Sequence, residues 1–273
     1  MIDHPAAELD LGVTGHQDRP VAGVDNGYVA GYRVRFDEAG PDGLLRTSGL
    51  LRYAQDVAWR HSEDLGFDRH WYVERGRWWV VRAVDLEVLA AIPMGRTLRT
   101  ATAVIGHRRI WARRLGESRF ADGALVATVR TDWVLLDERG RVVRIPADFG
   151  LSFSAPETSD DILRVRLPPE PAGSARVELT VRPRDLDPMG HVNNAVYLDW
   201  IEGALVAAGL GSAVTAIPRR ARLEYIASAP PEAPVAITAW GGADRWWARV
   251  EREGADLVRA AGTSGDTHLL LPG

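Results

Sequence analysis

The chain has 273 residues, 46% hydrophobic and 26% charged, enough to bury a sizeable core in one large domain or two small ones. Its formal net charge of -4 and pI near 6.0 argue against a protein that neutralises phosphates, so nucleic acid is not an expected partner. With no cysteine it has no disulfide, thiolate metal site or cysteine nucleophile, and no stretch approaches the roughly 18 apolar residues of a membrane span.

Residues 1–27 are polar, rich in Gly, Pro and Asp, without periodicity, and read as a flexible tail with neither the basic start nor the apolar run of a signal sequence. A soluble cytoplasmic protein is the default expectation. Tyr28 to Phe36 alternates and predicts a strand. After a turn at Gly40 to Gly43, Thr47 or Ser48 is expected to cap a helix reaching about Leu65, with Leu50, Ala54 and Val57 on one face and Gly66 as its stop. Four strands follow, over Trp78 to Ala90, Arg96 to His107, Arg109 to Ser118 and Ala124 to Asp137, each rich in β-branched or aromatic residues and bounded by Pro, Gly or Asp.

The second half repeats this plan. A strand over Ala175 to Pro183 leads through a turn at Asp187 to Gly190 into a helix from about Asn193 to Ala208, ended by Gly209 and Gly211. Strands follow over Ala221 to Ser228, Val235 to Gly242, Arg245 to Glu253 and Asp256 to Leu271. Tyr53 matches Tyr197, Asp85 to Glu87 matches Arg222 to Glu224, and Ile110 to Arg114 matches Trp246 to Val250. In each copy the one long amphipathic helix must cover one face of an antiparallel sheet. The expected fold class is therefore α+β, a tandem (double) hotdog, each unit a sheet wrapped around a long central helix. Its expected parts are a domain at 28–150, a linker at 151–174 whose Pro, Ser and acidic residues predict an exposed connection, and a second domain at 175–273.

The segment DLDPMGHVNNAVYLDW (Asp185 to Trp200) resembles the second-half signature of the acyl-ACP thioesterases, in which Asp, Asn, His and an Asn pair precede a helix with Tyr and Trp. The first half agrees through its turn, long helix and the strand beginning WWVV (Trp78 to Val81), so the resemblance spans roughly Tyr28 to Leu271. It implies hydrolysis of a fatty or polyketide-like acyl thioester held on acyl carrier protein. Two positions depart from the pattern. Met189 stands where the family has Asn, and Ser228 and Ala229 stand where plant members carry Glu and Cys after an LEY strand. The turn Asp187, Pro188, Met189, Gly190 is also similar to the Asp, Pro, Ala, Gly turn of the 4-hydroxybenzoyl-CoA thioesterases, in which the Asp alone carries the chemistry.

The residues themselves support the same chemistry. Asp187 precedes a helix N-terminus, where unpaired amides around Asn193 and Asn194 can stabilise the oxyanion of a tetrahedral intermediate. Asp187 can deprotonate water or attack directly, and His191 can assist the water or the leaving thiolate. Thiolate leaves readily, so neither metal nor cofactor is expected. Against this, Asp and Asn before a helix are first of all caps. Trp78, Trp79, Leu50, Met189 and Tyr197 are acyl-pocket candidates, with core packing the competing explanation. In the first copy Asp42 is expected near the place of Asp187 and Arg46 near that of His191, leaving one working site, in the second copy.

The remaining histidines, His61, His70, His107 and His268 among them, have no metal-ligand spacing, and there is no phosphate-binding glycine loop. Arg108 and Arg109, Arg113 and Arg114, and Arg219 and Arg220 suit an acidic carrier protein or phosphopantetheine, or else solvated strand faces. Because all 33 basic residues are arginine, their placement discriminates weakly. Acyl-CoA hydrolysis on the same site and a catalytically weak acyl-binding module are the alternatives, in a monomer or a homodimer.

Overall fold

A computed structural model describes residues 27–147 and 149–265. Ten strands form one sheet in the order β1-β3-β4-β5-β2-β7-β10-β9-β8-β6. The first five are β1 (Gly27–Arg33), β2 (Arg77–Val88), β3 (Thr97–Arg108), β4 (Trp111–Arg119) and β5 (Leu125–Asp137). The second five are β6 (Ala175–Thr180), β7 (Arg219–Tyr225), β8 (Pro234–Gly241), β9 (Arg245–Arg252) and β10 (Ala255–Ser264). Every neighbouring pair is antiparallel. Read outward from the β2–β7 seam, both halves have the same connectivity, which is the tandem hotdog that the repeat predicts.

Each half wraps a helix, α1 (Thr47–Asp64) or α4 (Asn194–Ala207), and these meet side by side on the concave face. Leu50, Leu51, Tyr53 and Val57 of α1 and Tyr197, Leu198, Ile201 and Leu205 of α4 recur at helical spacing and are all buried in one core with the concave sheet residues. One row across that face runs Thr102, Gly116, Val129, Leu86, Ala221, Gly262, Trp246. Gly262 is required there, because a Cβ would overlap the indole of Trp246.

Among the described residues there are three further short α-helices: α2 (Arg69–Arg75), α3 (Phe149–Ser152) and α5 (Gly211–Thr215). Helix α2 begins where Asp68 caps the amide of Trp71 at 2.8 Å and stops at Gly76 in the left-handed region (φ 54°). A second apolar cluster gathers Phe67, Tyr72, Phe149 and Phe153, with Trp78 and Trp79 packed against it.

Several expectations need correction. Neither Thr47 nor Ser48 caps α1: the N-cap is Arg46, without a side-chain cap bond, and Thr47 Oγ1 instead accepts from Arg219 at 3.1 Å. Strand β1 ends at Arg33, and Phe36–Glu38 forms a 3-10 turn. Most of the linker is exposed, as its composition predicts, but Phe153, Ala155 and Val165 are buried anchors. It crosses the convex face, where Leu163 N–H donates to Asp132 (2.7 Å) and Val165 N–H to Glu224 (2.9 Å). Buried carboxylates need such donors, and the linker supplies them. The arginine pairs are likewise mostly built into the fold. Arg113 is buried against Asp132 (2.7 Å), Arg114 lies over Phe153, and Arg220 grips Asp85 (2.6 Å). The tail at residues 1–26 and His268 lie outside the described residues.

Candidate active site

The turn before α4 is built by its own hydrogen bonds. Pro183–Asp185 forms a 3-10 turn in which Arg182 N–H donates to the Asp185 carboxylate (2.8 Å). Asp185 is buried, and its carbonyl accepts the amide of Asn193 at 2.9 Å. Leu186 and Val192 then form a bridge, and the Asp187 amide donates to the His191 carbonyl at 2.7 Å. Gly190 closes the loop at φ 78°, a conformation that favours glycine.

Asp187 is half-buried at the centre of this loop. Its Oδ1 accepts the amides of Met189 (2.9 Å) and His191 (3.1 Å), so one carboxylate oxygen is fixed while Oδ2 takes no hydrogen bond among the described residues. The two amides come from the turn itself rather than from the helix. Those of the helix are partly spoken for: Asn193 is the N-cap, its Oδ1 accepting from Ala195 N–H and its carbonyl from Val196 N–H, both at 2.9 Å. Among the described residues the amide of Asn194 has no acceptor. His191 and Met189 are exposed.

Behind the turn, Tyr225 donates its hydroxyl to the carbonyl of Asn194 at 3.0 Å and so pins the first turn of α4. Burial pushes the Tyr225 hydroxyl well above its ordinary range, with the charge of Tyr197 acting the same way. Tyr197 accepts the amide of Ala229 at 2.9 Å and packs edge-on to Trp200 (5.1 Å). Ser228 and Ala229, the positions of the plant Glu and Cys, therefore lie beside Tyr197 on α4. The role of Tyr225 was hidden in the LEY stretch, where nothing local says what its hydroxyl reaches.

Of the remaining candidates, Leu50 and Tyr197 share the central core, whereas Trp78 and Trp79 belong to the second cluster. Among the described residues there is no group of three or more acidic, His or Cys side chains able to hold a metal ion.

The first-copy turn has the same backbone but different chemistry. Glu38, Ala39 and Leu45 play the parts of Asp185, Leu186 and Val192, a constant spacing of 147 positions. In that register Gly40, not Asp42, holds the place of Asp187, and Leu44, not Arg46, that of His191; the Gly40 amide donates to Leu44 O just as Asp187 does to His191 O. Trp200 rather than Tyr197 is then the counterpart of Tyr53. The first-copy turn thus has no imidazole, and its acid is Asp42, two positions further on, whose carboxylate accepts the amide of Leu44 at 3.0 Å.

Known proteins share this architecture. The solved structure of a Lactobacillus plantarum protein assigned as an oleoyl thioesterase superposes with a TM-score of 0.77 at 21% identity, covering 88% of this chain and 97% of that one. The 12:0-ACP thioesterase from Umbellularia californica gives 0.73 at 20%, covering 87% and 96%. An acyl-[acyl-carrier-protein] hydrolase of Cuphea viscosissima chloroplasts is 27% identical over 189 residues, 62% of this chain and 45% of that protein. The chain thus spans about half the length of the curated relatives it matches. The model of the acyl-ACP thioesterase N-terminal domain matches residues 25–152 and that of the C-terminal domain residues 170–246, together most of the chain. This protein belongs to the acyl-ACP thioesterase family.

Proposed function

We propose that this protein hydrolyses acyl thioesters of acyl carrier protein to free acid and carrier thiol at the turn from Asp187 to Asn194. The observation that carries the reading is the state of Asp187, with one oxygen fixed by two turn amides and the other unengaged beside a helix N-terminus. Oδ2 deprotonates water for attack on the thioester carbonyl, or attacks that carbonyl itself. The developing oxyanion meets the amide of Asn194, with Asn193 holding the helix end in place; one such donor is typically worth about 10²- to 10³-fold in rate. His191, bridged to Asp187 through the backbone, delivers a proton to the leaving thiolate.

The exposed Arg182 and Arg184 flank the turn, where positive charge steers an acidic carrier. Met189 contributes its backbone amide to the Asp187 carboxylate, a contact that does not depend on its side chain. Among the described residues no helix is long and apolar enough to cross a membrane. The test is hydrolysis of acyl carrier protein and CoA thioesters of matched chain length by the wild type, Asp187→Ala and His191→Ala. Turnover of the carrier thioester that disappears in Asp187→Ala supports the reading. Undiminished turnover in that variant removes Asp187 from the chemistry, and a preference for CoA moves the substrate class.

A further inference from the structure

The spacing of 147 positions that relates the two turns also relates the helices that follow them. Arg46 and Asn193 are the N-caps of α1 and α4, and Thr47 and Asn194 are their first residues. Arg52 and Asp199 are equivalent in the same register and bond each other at 2.7 Å. Equivalent residues in mutual contact lie on a local two-fold axis. Whatever α4 presents to the first turn of α1 is therefore matched by what α1 presents to the first turn of α4, where Asp187 stands.

At the first-copy end this arrangement is seen directly. Glu202, one turn beyond Asp199 on α4, hydrogen-bonds with Thr47 at the start of α1, and both line one small cavity. The equivalent of Glu202 in α1 is Gln55. It stands one turn beyond Arg52 and four residues after the fully buried Leu51, on the face of α1 that is turned to α4. As Glu202 meets Thr47, so Gln55 faces Asn194, whose amide has no acceptor among the described residues. Gln55 is half-buried, and among the described residues no hydrogen bond engages its side chain. The two ends differ in charge. A carboxylate at position 55 would stand beside Asp187 where a further negative charge develops on the substrate, whereas the amide is neutral and offers two N–H donors.

We propose that Gln55 is a catalytic residue of the thioesterase site, donating through Nε2 to the thioester carbonyl oxygen alongside the Asn194 amide; this rests on the reading of Asp187 given above. Water deprotonated by Asp187 bonds through its oxygen to the carbonyl carbon, and the π pair of the C=O bond moves onto the carbonyl oxygen. That oxygen is held by Asn194 N–H from α4 and by Nε2–H from α1. As the pair returns, the C–S bond breaks and the thiolate takes its proton from His191, giving acid and thiol. Gln55 neither gains nor loses a proton. The acid and one donor thus come from the second repeat and the other donor from the first, which takes part in the chemistry although its own turn has no imidazole.

Steady-state hydrolysis of an acyl carrier protein thioester is compared in the wild type, Gln55→Met, Gln55→Glu and Asp187→Asn, with the melting temperature read on each preparation. Gln55→Met keeps the length of the side chain and removes its donors. Its kcat should fall by about 10²-fold or more at nearly unchanged KM and melting temperature, the loss expected of one oxyanion donor. Gln55→Glu keeps the shape, removes the donors and adds a like charge, so it should fall at least as far. Wild-type kcat in Gln55→Met beside an inactive Asp187→Asn overturns the proposal and leaves the Asp187 reading standing. A loss confined to KM, or matched by a fall in melting temperature, also overturns it and assigns Gln55 to binding or packing. Loss in Gln55→Met with full turnover in Asp187→Asn upholds the donor and removes Asp187 from the chemistry. A wild type that turns over no thioester overturns both.

Discussion

Asp85 and Arg222 hold the same position in the two repeats and are direct partners across the β2–β7 seam, joined at 2.7 Å. Arg52 and Asp199 repeat the relationship between the helices, at the 147-position spacing and again at 2.7 Å. Both pairs stand where a two-fold symmetric dimer sets a residue against its own copy. Arginine facing arginine or aspartate facing aspartate would repel there. Carrying both copies on one chain allows opposite charges at these points, and the sequence uses that freedom twice.

Asp85→Asn should therefore be strongly destabilising. Burial opposes charge on Asp85, but hydrogen bonds and charge from Arg220 and Arg222 outweigh it and hold the carboxyl below its ordinary value. Breaking such a buried pair from one side costs roughly 3–5 kcal/mol, because the remaining charges are left uncompensated. Thermal or urea unfolding measures it. The swap Asp85→Arg with Arg222→Asp should recover only part of the loss, since Arg220 also bonds Asp85 (2.6 Å) and would then face a cation.

At Asp187 a cap and a catalyst predict different results for the amide. Asp187→Asn keeps an oxygen able to accept from Met189 and His191, so melting temperature should hold while kcat on the carrier thioester falls by about 10²-fold or more. Asp187→Ala should lose both. If Asp187→Asn retains wild-type kcat, the residue is a cap alone.

Tyr225→Phe removes the bond to the Asn194 carbonyl without opening a cavity. The expected loss is about 0.5–1.5 kcal/mol, together with a fall in kcat smaller than that of Asp187→Ala, because the helix end is loosened but the acid remains. Denaturant titration and steady-state kinetics on one preparation separate the two effects.

Glu202 predicts the pH dependence of stability. Its folded-state carboxyl lies near 7 against an ordinary 4.5, so the folded state holds a proton that the unfolded state releases. The contribution is fully present below about pH 4.5 and is lost as pH rises through about 7. Melting temperature should thus carry a downward component between pH 5 and 8 that Glu202→Gln lacks. Parallel pH curves for the two proteins would contradict it.

How much of this was legible in the sequence follows from what kind of signal each feature leaves. Strand periodicity and the glycine stops at Gly66 and Gly209 placed both helices to within a residue or two, and internal repetition gave the tandem architecture. The DLDPMGHVNN stretch marked the turn because its residues are consecutive. Tyr225 and Glu202 act on residues far away in the chain, so neither leaves a local pattern. The first-copy turn was misaligned because Asp42 invites a match by residue type, whereas the backbone bonds of Gly40 and Leu44 define the equivalence. The anchors of the linker were not legible, because Pro, Ser and Asp report only that the segment is solvated; that Val165 and its amide serve Glu224 depends on a convex face full of buried charge.

At Glu224 three parts of the chain meet: its own strand β7, β2 through Arg82 at 2.8 Å, and the linker through Arg164 (2.7 Å) and the Val165 amide (2.9 Å). Neither repeat can come away from the other without also unfastening the strap between them. The molecule should therefore melt in a single calorimetric transition, and amides of residues 163–165 should exchange with solvent only as slowly as those of the seam strands, despite lying in a segment without regular structure.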